Sequence, residues 1–440
     1  MIHAPQPERF ELVFPGKQAA REAAATPSPL PMVYCPEESL FPDVTQNLYI
    51  EGDNLEALRH LQQTHAGRIK AVCIDPPYNT GAELLYRDNF RRSHADLASR
   101  AHADWCSMMY SRLLLTKPLL TEDGAVFICI GEQELHTLMC LCDEIFGPDN
   151  RITLFSRVTK RSSNNGGHFS PCVDYILMYA KDITKLPAYS IDLPAEIVSR
   201  YKKTDEYLSE RGPYQEVSLY MSALKHGGSH YPIECPDGTF ACPPNGMPWR
   251  WNEATFKKGL AEGRIVFKAS RRSPLIQPGT GKRAGWNIYT KMYLHERTSE
   301  GLQPKNFSEA FQNTLATYEL RRLGIPFDFA KPVSLIAYLL RLQTTREDIV
   351  LDYFSGSATT AHAVMQCNAE DGGQRCFIMV QIPERTAPSS KAAKAGFTDI
   401  CEIGKERIRR AGKQLREQYP EAEFDAGFRV MKLGGDRNGM

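Results

Sequence analysis

Asp75-Pro76-Pro77-Tyr78 is the stretch of this chain best equipped for chemistry. It follows the apolar run Ala71-Val72-Cys73-Ile74 and precedes Asn79-Thr80-Gly81. Each proline fixes its own φ and lacks an N–H, and the residue before it is held extended. The tetrapeptide is therefore a rigid elbow at a strand end. It turns one carboxylate, several backbone carbonyls and one aromatic face into a common space. Those groups suit a planar substrate that carries an amino group, with acceptors for the N–H bonds and a ring to stack on. An amino-bearing nucleobase has that form.

A second constellation runs Asp352-Tyr353-Phe354-Ser355-Gly356-Ser357-Ala358-Thr359-Thr360. It follows a strand and opens a helix, the position of a Rossmann-type ligand loop. Small residues let a ligand approach the backbone, and the helix start offers free N–H groups. Taken alone, such a turn is as readily explained by sterics. GxGxxG is absent, which excludes a dinucleotide fingerprint, and no Gly-Lys-Ser/Thr follows, which excludes a phosphate loop. A ligand with little phosphate fits better, and S-adenosylmethionine is one. Phe329-Ala330-Lys331-Pro332 lies just upstream and reads equally as a helix-entry turn or as a ligand contact. Elbow and loop, both at carboxyl ends of strands, would share one crevice of an open sheet.

The elements that must position them read as α/β. Leu48-Tyr49-Ile50 is a strand leading to Asp53, which is either a helix N-cap or a ligand contact. Helices are expected at 54–63, 105–120, 135–146, 334–342, 359–368 and 400–419, and strands at 125–130, 175–179, 349–351 and 376–381. Asp123-Gly124 reads as a turn, and 157–170 as a polar loop carrying His168. Alternating strands and helices imply a mostly parallel sheet covered on both faces. Residues 1–45, rich in Pro and Ala, read as an extended arm, and 186–325, rich in Pro, Gly, Trp and basic residues, as a separate insert between the halves 46–185 and 326–440.

Composition agrees with two units. The 440 residues are 42% hydrophobic and 24% charged, ordinary for a globular chain above single-domain size. No apolar run reaches membrane-span length, and Met1-Ile2-His3-Ala4-Pro5 lacks a signal-peptide pattern. Twelve cysteines without a CxxC pair read as reduced thiols of a cytoplasmic protein, and Cys235 and Cys242 are a poor zinc pair, so no metal is expected. Net charge is only +1, yet Arg264, Lys268, Arg271, Arg272, Lys282, Arg283, Lys291 and Arg297 lie in one stretch with Glu296 the sole acid. The stretch is a solvated face or a phosphate-contacting surface.

These residues carry a family resemblance. The chain resembles the amino-group DNA methyltransferases, specifically the modification subunits of type III restriction–modification systems. Asp75-Pro76-Pro77-Tyr78 matches their catalytic motif, and Phe329-Ala330-Lys331-Pro332 and Phe354-Ser355-Gly356-Ser357 match two cofactor motifs. The order, catalytic motif first, is like the β class, whose target-recognition domain lies between the halves. The resemblance implies a Rossmann-like methyltransferase fold, S-adenosylmethionine as cofactor and double-stranded DNA as partner. It also implies methylation of the N6 amine of a flipped-out adenine, with Asp75, Pro76, Pro77 and Tyr78 catalytic. Asp53, Lys331, Pro332, Asp352, Phe354, Ser355, Gly356, Ser357, Thr359 and Gln381 would bind cofactor. Arg264, Lys268, Arg271, Arg272, Lys282 and Arg283 would contact DNA.

N4-cytosine methylation and a catalytically silent DNA-binding regulator are the alternatives, and a homodimer stays open. Two departures stand out. Ala358 replaces a family glycine, tolerable where φ is negative, and the strand after the loop ends in Gln381, with Glu384 beyond, instead of an acid. The chain stops soon after 428–432, where typical modification subunits continue, which suits a stand-alone enzyme better than one with a restriction subunit.

Overall fold

The Pro- and Ala-rich opening joins the main sheet instead of forming an extended arm. A computed structural model describes residues 11–80, 98–161, 168–221, 229–244 and 246–434. Within the first forty-odd residues, helix α1 (Lys17–Ala25) buries Ala20 and Ala24, and β1 (Met32–Leu40) pairs antiparallel with the last strand of the chain. The alanines that looked featureless in sequence are a small-residue helix face, and Pro36 is tolerated because β1 is an edge strand.

The alternating pattern then unfolds much as expected. It runs β2 (Leu48–Glu51), α2 (Asn54–His65), β3 (Ile69–Ile74), α3 (Ala98–Leu119), β4 (Leu120–Ile130), α4 (Glu132–Phe146), β5 (Arg151–Val158) and β6 (Val173–Ala180). After an interruption come β7 (Phe307–Ser308), α5 (Asn313–Leu323), α6 (Val333–Gln343), β8 (Ile349–Asp352), α7 (Thr359–Asp371), β9 (Cys376–Gln381), α8 (Ile400–Gln418) and β10 (Phe428–Leu433). Ten strands form one sheet in the order β1-β10-β2-β9-β8-β3-β4-β6-β5-β7. From β10 to β4 all neighbours are parallel, and β6 then reverses against both β4 and β5.

Alternation along each strand divides the core. Ala71 and Cys73 face one side with residues of α5, α6, α7 and α8, while Val72 and Ile74 face the other with α1, α2, α3 and α4. The N-terminal half thus covers one face of the sheet and the C-terminal half the other. All twelve cysteines carry free thiols.

Three local expectations need correction. Asp123-Gly124 is not a turn between elements but lies inside β4, beside a register shift against β3. The polar loop expected from Arg157 begins later. Arg157 and Val158 end β5, and Arg157 is buried with its guanidinium forked onto Asp174 of β6 at 2.5 and 2.6 Å. Of that loop, 162–167 lie outside the described residues, and His168 is exposed. The insert is also shorter than 186–325. Contacts divide the chain into Met1–Tyr189 with Lys305–Met440, and Ser190–Pro304. Residues 305–325 belong to the larger unit because β7 pairs with β5 and α5 puts Ala316, Leu320 and Leu323 into its core.

The smaller unit has its own core around Leu219, Trp249, Leu275 and Ile288. A three-stranded antiparallel sheet, with Trp286–Tyr293 between Ile265–Ala269 and Tyr214–Ser218, supports it. The chain enters and leaves this unit through the paired residues Ile191 and Leu302. Replacing Ser190–Pro304 by a short Gly/Ser linker is therefore expected to leave a cooperative thermal transition by circular dichroism. Removing 186–325 strips α5 from the core, and loss of several buried leucine-sized side chains at about 2–5 kcal/mol each is expected to abolish that transition.

Candidate active site

β3 and β8 are hydrogen-bonded parallel neighbours, with Val350 opposite Ala71 and Leu351 opposite Val72. The elbow after β3 and the small-residue loop after β8 therefore leave the same edge of the sheet, the crevice position of doubly wound folds. β9 lies beside β8, and β2 beside β9, so Gln381 and Asp53 reach the same edge. A cavity of about 470 Å³ opens there. Its wall includes Asp75 and Pro77 of the elbow, Asp53, Lys331 and Gln381, and Asp352, Phe354, Ser355, Gly356, Ser357 and Thr359 of the loop. Pro76, Tyr78 and Pro332 do not line it, and Pro332 occupies the N-cap position of α6.

The elbow is held from several directions. Trp105 of α3 donates its indole N–H to the Pro77 carbonyl at 2.7 Å. Asn79, left-handed at φ 56°, donates to the buried Glu134 of α4 at 2.7 Å. The Tyr78 ring packs where Gly131 leaves room, since a Cβ there would lie 2.8 Å from the ring. The Tyr78 hydroxyl is buried without a hydrogen-bond partner, and burial, then Asp75, push it well above the ordinary phenol range. Asp75 Oδ2 accepts from Lys331 Nζ at 2.5 Å, while Oδ1 is buried with no partner among the described residues. Burial acts most strongly against the Lys331 charge, yet Asp75 more than offsets it with help from neighbouring groups, and the ammonium is held above its usual value. Lys331 also lies 5.1 Å from the centre of the Tyr78 ring. The resemblance offered Lys331 to the cofactor; in the structure it lines the cavity and its hydrogen-bond partner is Asp75.

The loop after β8 is tied down by polar groups of its own. Asp352 accepts from Thr360 Oγ1 at 2.6 Å and from the Phe354 N–H at 3.1 Å. Burial raises its carboxyl to about 7, and Asp75 adds to the effect. Gln381 holds the Gly356 N–H with its side-chain oxygen at 2.8 Å, so its side chain fastens the loop. Ala358 takes φ 61° and ψ 42°, the left-handed region, so the negative φ that would make alanine easy does not hold. The substitution stores about 1–2 kcal/mol of backbone strain. Asp53 is the N-cap of α2 and also stands at the cavity. It caps α2 by accepting from the Leu55 N–H at 2.8 Å, takes two contacts from Arg112 at 3.2 Å, and lines the cavity.

Sequence reasoning took Phe329 only as part of its motif and passed over Ile382 and Pro383. Phe329 is 67% exposed at φ 63°, and Ile382 is 49% exposed; both are large apolar groups standing at a cavity with Pro383 and Glu384 nearby. Strain in a bulky residue at a cavity marks a functional position more often than a structural one. The signal available beforehand was only the acid Glu384 past the strand tip.

The comparisons with known proteins match this geometry. A family model described as DNA methylase (N6_N4_Mtase) matches residues 69–394, from β3 through β9. The chain belongs to the DNA methylase family. Among curated relatives it is 33% identical to the type III restriction-modification enzyme StyLTI Mod subunit of Salmonella typhimurium, over 96% of this chain and 65% of that protein. It is 29% identical to the EcoP15I Mod subunit of Escherichia coli, over 89% of this chain and 66% of that one. It is 28% identical to the type II methyltransferase M.KpnI of Klebsiella pneumoniae, over 86% of this chain and 90% of the relative. The chain thus spans about two thirds of the length of the two Mod subunits. No helix among the described residues is long and apolar enough to cross a membrane.

The basic stretch of the smaller unit separates into two groups. Arg264 is forked onto Glu296 at 2.6 and 2.9 Å and also meets Glu262, and Lys268 pairs with Glu216. Arg271, Arg272, Lys282 and Arg283 stand on the long connection between Ile265–Ala269 and Trp286–Tyr293. All four are exposed, and no ion pair engages them among the described residues. Trp249 is buried core, with Trp251 and Trp286 packed against it.

The raised Asp352 carboxyl makes a pH prediction. Between its ordinary value and about 7 the folded chain binds a proton that the unfolded chain does not, so this residue's contribution to stability falls as pH rises through that window. Asp352→Asn removes the dependence. In urea unfolding, the wild-type advantage over Asp352→Asn is expected to shrink from pH 5 to 7 by up to about 1.4 kcal/mol per pH unit. A constant difference across that range speaks against the raised carboxyl.

Proposed function

We propose that the chain is a site-specific DNA methyltransferase that moves a methyl group from S-adenosylmethionine to the N6 amine of adenine in a flipped-out base. The observation that carries this reading is the Asp75 carboxylate, which lines a cavity shared with the loop after β8 and whose Oδ1 has no partner among the described residues. A buried acceptor without a donor is costly, and an amine N–H supplies what is missing.

The wall chemistry fits the cofactor. Phe329, Phe354, Ile382 and Pro383 are apolar surfaces for a purine ring, Glu384 and Asp53 are acceptors for ribose hydroxyls, and the hydroxyls of Ser355, Ser357 and Thr359 are donors for a carboxylate. Bound there, S-adenosylmethionine supplies an electrophilic methyl group on a sulfonium.

The chain's own residues make the amine nucleophilic. An exocyclic amine is a weak nucleophile because its lone pair is shared with the ring. Asp75 Oδ1 and the Pro76 carbonyl, accepting its two N–H bonds, favour a tetrahedral nitrogen whose lone pair is localised. The Pro77 carbonyl is not available for this, being held by Trp105. Lys331 on Oδ2 holds the carboxylate in place, so that Oδ1 is the acceptor left over. Tyr78 follows the cavity-lining Pro77 and is the aromatic group proposed to stack on the base, although its ring lies outside the cavity wall, and fixed alignment supplies much of the rate. The base must leave the duplex to reach this depth. Aspartate at position 75, where many cytosine-N4 relatives carry serine, favours adenine. The exposed Arg271, Arg272, Lys282 and Arg283 suit phosphate contacts, whereas Arg264 and Lys268 are engaged within the fold. The names of the Mod relatives support a restriction subunit as a partner of this chain.

Duplex DNA incubated with the chain and labelled S-adenosylmethionine is expected to gain N6-methyladenine, detected by modification-sensitive sequencing. Asp75→Ala should still bind S-adenosylhomocysteine yet transfer nothing; full activity in that variant would sink the mechanism. Replacing Arg271, Arg272, Lys282 and Arg283 together by alanine is expected to weaken DNA binding and flatten its salt dependence, by about 0.9 in log–log slope for each phosphate no longer neutralised. Arg264→Ala should instead lower the unfolding temperature and leave the slope in place.

A further inference from the structure

We propose that Arg407 is the positioning residue that readies one wall of the cavity for the carboxylate of the methyl donor's amino-acid end. The proposal rests on the S-adenosylmethionine reading and concerns a residue outside every motif of the sequence.

Arg407 lies on α8 and is fully buried. Its Nη1 donates to Ser357 Oγ and to Thr359 Oγ1, each at 2.7 Å, while Nε and Nη2 have no partner among the described residues. Among the described residues no carboxylate forms an ion pair with it. Glu319 is the acid whose field reaches it, and Glu319 Oε2 accepts from the Val333 N–H at the start of α6. Burial lowers the guanidinium only to about 10, so it keeps its charge at neutral pH. A buried cation without a contacting anion is an expensive arrangement. The fold keeps it directly behind the loop that lines the cavity.

The two hydroxyls carry its effect forward. A hydroxyl that accepts from a guanidinium retains its own proton to donate, and polarisation strengthens that donation. Ser357 and Thr359 both line the cavity, and among the described residues neither proton has an acceptor. Ser355 Oγ, on the same wall, is buried without a hydrogen-bond partner. α7 begins at Thr359, adding the unpaired N–H groups of a helix start. The wall thus presents donors backed by a positive charge, which is the complement of a carboxylate. Lys331, the cation in the neighbouring motif, is already taken by Asp75. Arg407 therefore supplies the charge at one remove, through hydroxyls that it orients.

The test compares two ligands on the full chain by isothermal titration. S-adenosylhomocysteine carries the amino-acid end, and 5′-methylthioadenosine has the same nucleoside thioether without it. Arg407→Met is expected to lose about 30-fold in affinity for the first, as for a charge-assisted hydrogen bond, and less than about two-fold for the second. Arg407→Lys, which keeps the charge but not the fork, should fall between wild type and Arg407→Met. Ser357→Ala, a change far less able to disturb folding, should show the same ligand-selective loss at about ten-fold. Equal losses for both ligands would make Arg407 a structural prop and overturn the proposal, as would unchanged binding of both. A wild-type chain that binds neither ligand overturns the cofactor reading itself, and this proposal with it.

Discussion

The pairing of β3 with β8 is the constraint on which the rest depends. Backbone hydrogen bonds between two parallel strands bring an elbow near residue 75 and a loop near residue 355 to one edge of a sheet. Neither segment is a site by itself. The elbow offers acceptors without a reactant, and the loop offers donors and small residues without a target. Parallel pairing is what makes both emerge in the same direction, and the reversal of β6 against β4 leaves this crevice on the parallel part of the sheet. The two helical layers, one from each half of the chain, hold the pair from opposite faces.

Around that pair the molecule gathers buried and part-buried polar groups. Asp75 with Lys331, Asp352 with Thr360, and Arg407 with Ser357 and Thr359 are all within the wall of one cavity or directly behind it. Each is only partly satisfied or is shifted from its ordinary ionisation, and such groups persist where the surrounding structure over-determines them. Strain collects in the same place, with Phe329 and Ala358 both left-handed. Incomplete polar groups and stored strain together describe a site prepared for a ligand with an amine, a carboxylate and flat apolar surfaces.

Much of this was legible in the sequence because local chemistry dictated it. Period and length marked most strands and helices of the larger unit, and the strand at Cys376–Gln381 was read to the residue. The elbow was legible because prolines restrict the backbone regardless of context. What escaped depended on partners distant in sequence. β1 is strand-like only because β10 lies beside it, and α5 belongs to the larger unit only because its leucines find that core. Lys331 was read as a ligand contact because nothing local reveals that Asp75 stands opposite. Arg407 sits in an ordinary charged helix, where a buried guanidinium cannot be told from an exposed one. The basic stretch was legible as a stretch, but the acids that neutralise Arg264 and Lys268 come from elsewhere in the fold.

The register Ile69 opposite Ile349 also has a meaning for how the protein is made. Synthesis runs at about 5–20 residues per second, so β8 leaves the ribosome on the order of tens of seconds after β3. During that interval β4 can pair with one side of β3, and the other side stays open. Every position of β3 is buried in the finished sheet, so this open flank is an apolar strand edge of the kind that templates aggregation. The smaller unit, with a core of its own, is synthesised whole within the same interval. The long stretch of sequence between β3 and β8 leaves that flank open until the last third of the chain arrives.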